Sequence, residues 1–131
     1  MADTIYKPAT TQELIELADD ESVRLYEIDT SLITDMTEVF ANSLRMDFSG
    51  IEDWDVSHVV SMRRMFLNCL DFNEDLNKWD VSQVTDMSQM FKNCENFNKP
   101  LDQWNVSKVD SMNEMFQGCS SFNQSDRKSV V

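Results

Sequence analysis

The chain has 131 residues, room for one domain, and carries 24 acidic against 11 basic side chains for a formal charge of −13. That charge repels phosphate backbones and anionic lipid, which disfavours nucleic-acid and membrane-surface roles. Two Gly and two Pro leave no flexible linker and no phosphate-cradling Gly-rich loop, and no apolar run approaches the roughly 18 residues of a membrane-spanning helix.

The start, Met1-Ala2-Asp3-Thr4-Ile5-Tyr6-Lys7-Pro8, lacks the basic and then apolar blocks of a secretory signal. Residues 1–30 read as an N-terminal cap. Between Thr11 and Asp19 the apolar residues Leu14, Ile15, Leu17 and Ala18 alternate with acids, which predicts an amphipathic helix. Thr10 with Glu13 offers it a capping box. Val23, Leu25 and Ile28 are expected to supply a first strand.

From residue 31 the chain repeats itself. WDVSHVVSMRRMFLNCLDFN begins at 54, WDVSQVTDMSQMFKNCENFN at 79 and WNVSKVDSMNEMFQGCSSFN at 104, so Trp54, Trp79 and Trp104 lie 25 residues apart, as do Cys69, Cys94 and Cys119. A degenerate copy occupies 31–53, full repeats occupy 54–78 and 79–103, and a shortened one runs over 104–125. The identical positions are mostly Trp, Val, Met, Phe and Cys, the residues of a core. One unit of this size cannot close a core alone, so units must stack. Met87, Met90, Phe91 and Cys94 at i, i+3, i+4 and i+7 predict a short helix capped by Thr85 or Ser82. The alternation in Trp79-Asp80-Val81-Ser82 predicts a short strand. The expected fold class is therefore an α/β repeat solenoid with a short strand plus a short helix in every 25-residue turn. Leu76 and Trp79 predict Leu at 126 and Trp at 129, where the chain has Asp126 and Ser129. Residues 126–131 are accordingly expected to be a non-native tail, with further repeats in the natural protein.

Three Cys with no CxxC pair, and His58 as the sole His, do not assemble a zinc site. The thiols read as small buried residues in one layer, although in an exported protein neighbouring repeats could bring two within disulfide range. The Met residues share the stripe of Phe66, Phe91 and Phe116 and read as core, whereas the Trp file serves either as core or as interface anchors. Asp19-Asp20-Glu21, Glu52-Asp53-Asp55 and Asp71-Glu74-Asp75 lack the pattern of a calcium loop and read as a solvated face. No catalytic, cofactor-binding or metal residue is assigned. What varies between repeats is a column of His58, Gln83 and Lys108 and a second of Asp55, Asp80 and Asn105, both placed on the solvent side of an array of strands. Contacts to a partner are expected there.

The pattern F-N-x-x-L-x-x-W-D-V-S-x-V-x-x-M-x-x-M-F-x-x-C resembles the BspA-like leucine-rich-repeat surface proteins, a family that includes mycoplasma lipoproteins with 25-residue repeats. Lys7-Pro8, Glu13-Leu14, Asp20-Glu21-Ser22 and Ile28-Asp29-Thr30-Ser31 similarly look like the cap of such chains. The resemblance implies a right-handed, leucine-rich-repeat-like coil and a cell-surface or secreted module that adheres to other macromolecules, with no catalytic set. No signal peptide or lipobox Cys is visible here, which leaves a cytoplasmic location open. The expected function is a non-enzymatic repeat module that binds a macromolecular partner, a protein or a surface glycan. The alternative is a structural spacer or envelope component without a specific ligand.

Overall fold

A computed structural model describes residues 4–124, so the tail expected at 126–131 lies outside the described residues. Helix α1 spans Thr11–Ala18, one residue short of the expected range, and its capping box forms as the sequence indicates. The Thr10 hydroxyl accepts the Glu13 N–H at 3.1 Å, and the Glu13 carboxylate accepts the N–H groups of Thr10 at 3.1 Å and Ala9 at 2.7 Å. Leu14 and Ala18 are buried beneath the helix. The Thr11 hydroxyl donates to the Asp35 carbonyl at 2.7 Å and ties the helix to the first repeat. The strand expected at Val23, Leu25 and Ile28 is absent: Leu25–Glu27 is a 3-10 turn, and Ile28 makes a single parallel bridge with Tyr6.

The repeats depart from the expected architecture. Among the described residues α1 is the sole α-helix, and β-pairing between the repeats is confined to isolated bridges, Asp35 with Ser61, Ser61 with Asp86 and Asp86 with Ser111. This overturns the α/β, right-handed, leucine-rich-repeat-like solenoid with a strand and a helix per turn. The run predicted to be helical is instead a chain of tight turns, closed by N–H to carbonyl bonds from Met65 to Met62, Leu67 to Arg64, Cys69 to Phe66 and Phe72 to Cys69. The intervening N–H groups leave the unit, Met62 donating to Asp86, Arg64 to Ser88, Phe66 to Met90 and Asn68 to Lys92. An α-helix must direct these donors to carbonyls within its own segment.

Backbone angles explain why the helix cannot form. Every fourth residue of the run sits in the left-handed region, Arg64 at φ 55° and Asn68 at 62°, Gln89 at 56° and Asn93 at 63°. A positive φ at the third position is what a type II turn requires, and it interrupts any right-handed helix. Asn and Gly tolerate it best, and Asn42, Asn68, Asn93 and Gly118 fill one of the two positions. A Cβ at Gly118 would collide with the Asn93 side chain below it. The expected Trp-Asp-Val-Ser strand does not form either: the segment leads into a turn closed by Val59 N–H to the Val56 carbonyl at 3.0 Å and Val84 to Val81 at 3.0 Å.

The stacked tiers place like residues over like. Phe40, Phe66, Phe91 and Phe116 form one file with ring centroids 5.5, 5.5 and 5.7 Å apart and planes within 5° of parallel. Phe72, Phe97 and Phe122 form a second, spaced by 5.8 Å. Trp54, Trp79 and Trp104 are buried in a file, and each indole N–H donates to a carbonyl of the preceding tier: Leu25 at 2.8 Å, Ile51 at 3.0 Å and Leu76 at 2.8 Å. Each thiol does the same, Cys69 to Phe40, Cys94 to Phe66 and Cys119 to Phe91. Asn side chains continue the theme outside the core, Asn68 donating to Asn42 at 2.6 Å and Asn93 to Asn68 at 2.8 Å.

Candidate binding surface

The two variable columns sit on the outward turn that follows each Trp. They lie on turns, not on the strand array expected from the sequence. Asp55 and Asp80 are exposed, but their carboxylates are committed: Asp55 accepts the Ser57 N–H at 3.0 Å and hydroxyl at 2.6 Å, and Asp80 accepts those of Ser82 at the same distances. Asn105 keeps the backbone half of this brace, accepting the Ser107 N–H at 3.1 Å. These are Asx turns, in which a side-chain oxygen holds the backbone two residues on. The same brace recurs at Asp20, Asp29, Asp35, Asp47 and Asp86. Many acids of the solvated face are therefore turn braces, a distinction composition alone does not reveal.

His58, Gln83 and Lys108 are exposed one above another. Lys108 Nζ donates to Gln83 Oε1 at 2.9 Å and links the last two members of the column. Beside it runs a third variable column that the sequence analysis did not single out: Asp53, Lys78 and Gln103, each preceding a Trp. Its signal was present in the alignment. Lys78 Nζ lies 2.9 Å from Asp53, and that contact raises the amine's pKa. A shallow cleft of about 260 Å³ lies between the tiers of Trp54 and Trp79, lined in part by Glu52, Asp55, Lys78 and Asp80. The arrangement can hold a polar group against alternating hydrogen-bond donors and acceptors.

The thiols lie far from such chemistry. Burial pushes Cys69 up to about 12 and Cys119 up to about 11, and raises Cys94 as well. Such groups stay protonated at neutral pH and are poor nucleophiles and poor metal ligands. All three are free. Among the described residues no group of three or more His, Cys, Asp or Glu side chains converges on a metal position, and no helix is long and apolar enough to cross a membrane.

The braces carry a pH dependence of definite sign. Hydrogen bonds from Ser82, hydroxyl first and then backbone, hold Asp80 below the usual carboxylate range, and Ser57 does the same to Asp55. A folded-state pKa below the unfolded one gives stability that is present above about pH 4 and lost as pH falls through the folded value. Asp80→Asn keeps the oxygen acceptor, as Asn105 does naturally, but loses the charge that these bonds favour, so the melting temperature at pH 7 should fall slightly. Below pH 4 the variant should lose melting temperature less steeply than the parent. Parallel melting curves for both proteins down to pH 2.5 would contradict the brace.

Residues 11–129 match the family described as Mycoplasma protein of unknown function, DUF285. No curated protein and no solved structure matches the chain.

Proposed function

The chain belongs to the DUF285 family of Mycoplasma proteins of unknown function, and from that premise we propose that it is a non-enzymatic binding module which recognises a macromolecular partner through its outward turns. The observation that carries this reading is the file of His58, Gln83 and Lys108. The core residues beneath recur from tier to tier, while three side chains of different chemistry stand exposed at one repeated position. An extended array of this kind offers many weak contacts in fixed register, which suits a protein or a surface glycan better than a small substrate. The resemblance of the W-D-V-S-x-V-x-x-M pattern to BspA-like surface proteins supports adhesion as the role and a cell-surface or secreted location.

The test is retention on an array of purified glycans and extracellular-matrix proteins. The parent chain should be retained by one or more of them. Exchange of His58, Gln83 and Lys108 together for Ser should weaken retention at least tenfold with an unchanged melting temperature, because all three side chains are exposed. Unaltered retention would place the contacts elsewhere, and no retention by the parent would favour the spacer reading.

A further inference from the structure

Between Ser43 and Phe48 the first repeat is two residues longer than the matching stretch from Cys69 to Phe72, and Phe48 still meets Phe72 edge to face with centroids 5.0 Å apart. The added length forms a bulge at Leu44-Arg45-Met46. Arg45 turns inward, where its guanidinium donates to the carbonyls of Ala18, Asp20, Val23 and Asp47. The Glu21 carboxylate holds the next two residues, accepting the N–H groups of Met46 at 2.8 Å and Asp47 at 3.2 Å. With the middle residue fixed inside, its neighbours are driven out. Leu44 is 93% and Met46 82% exposed, and Leu70 of the next repeat, 49% exposed, lines the same cleft.

The cleft has a volume of about 310 Å³ and an apolar floor of Phe48, Cys69 and Phe72. A second cleft of about 370 Å³ opens on the other side of Leu44, against Asp19 and Glu21. Acids therefore rim both, Asp71 on one side and Asp19 and Glu21 on the other. No lysine lines either cleft, and the one arginine, Arg45, is buried with its charge spent on backbone carbonyls. Clustered exposed apolar side chains beside a groove mark an interaction surface, and here Arg45 and Glu21 hold the backbone that carries them.

We propose that the Leu44–Met46 bulge and Leu70 form a docking site for a basic amphipathic segment of another protein, its apolar side chains entering the cleft and its Lys or Arg residues facing the acidic rim. Charge complementarity chooses this occupant. A second copy of this chain, at −13, would bring acids against acids, and an anionic lipid surface would be repelled in the same way. The site is separate from the His58, Gln83 and Lys108 file, and stands or falls independently of it.

The probe is a fluorescent 18-residue peptide with Leu on one helical face and Lys on the other, titrated with the full chain and followed by anisotropy. Its control carries Glu in place of Lys. The parent should bind the Leu–Lys peptide and not the Leu–Glu one. The triple variant Leu44→Ser, Met46→Ser and Leu70→Ser keeps every charge and should bind at least tenfold more weakly with the same melting temperature. Equal binding by parent and variant would show mere attraction to net charge and overturn the site. So would absence of binding by the parent, or sedimentation showing that the parent self-associates through these residues while the variant does not.

Discussion

Replacing Phe91 with alanine is expected to destabilise the protein by about 3–5 kcal/mol, read as a fall in the urea midpoint with an unchanged slope. Phe91 is fully buried and lies at the crossing of both ring files. It stacks on Phe66 at 5.5 Å and Phe116 at 5.7 Å along its own file, and on Phe97 at 4.4 Å beside it. Its backbone bonds, the N–H to Met115 at 3.0 Å and the carbonyl from the Cys94 N–H at 2.9 Å, survive truncation. The whole effect is therefore the lost ring and the void it leaves. That void cannot close easily, because the rings above and below are fixed by their own tiers and a stacked interior relaxes only in part. Phe116 supplies the control: it is only partly buried, so Phe116→Ala should cost less than half as much. Equal costs at the two positions, or a cost below about 1 kcal/mol at Phe91, would mean that the files are not close-packed.

The reach of the sequence can be judged from particular residues. The capping box at Thr10 and Glu13 was readable because its two residues suffice to make it. Burial of Met, Phe and Cys was readable because the repeat keeps them while their neighbours change, whereas the Trp file fitted core and interface alike. The path of the backbone between them was not. Spacing of i, i+3, i+4 and i+7 turns the same side chains inward on a helix and on consecutive turns that each advance three or four residues. Asn42, Asn68, Asn93 and Gly118, types suited to a positive φ at a fixed place in each unit, were the available clue. Arg64 and Gln89 hold the same angle with no such mark, since their N–H groups bond to the Ser88 and Asn113 carbonyls of the next tier and override their preference. The columns of His58 and Asp55 were legible as positions, but only the geometry separates a side chain free for contact from a carboxylate bracing its own turn. Arg45 falls in a stretch two residues longer than its counterpart in the next repeat, where the repeat gives no guidance.

Arg45→Ala should lower stability by about 3–5 kcal/mol, an effect comparable to a core ring although the residue is a cation. Its side chain is 2% exposed and lies 4.0 Å from the Glu21 carboxylate. Nε donates to the Ala18 carbonyl at 3.0 Å, Nη2 to Asp20 at 2.6 Å and Val23 at 2.8 Å, and Nη1 to Asp47 at 3.1 Å. Ala18 ends α1, so the charge also sits at the negative end of that helix. Burial pulls the guanidinium's pKa down, opposed by Glu21, Asp47 and Asp20, yet arginine stays charged at any accessible pH. Truncation would strip these carbonyls of a shared donor in a place water reaches poorly. Arg45→Lys should recover only part of the loss, because an ammonium on a single stem cannot spread its donors as the planar fork does. The damage should be local, since tiers contact only their neighbours and can open separately. Hydrogen exchange distinguishes the cases: in Arg45→Ala the amides of residues 14–18 should lose protection, while Phe66 and Phe91, whose N–H groups reach Met90 and Met115, keep theirs. Uniform loss along the chain would mean that cap and repeats unfold as one body, and unchanged protection in α1 would show that the helix is held by Leu14 and Ala18 alone.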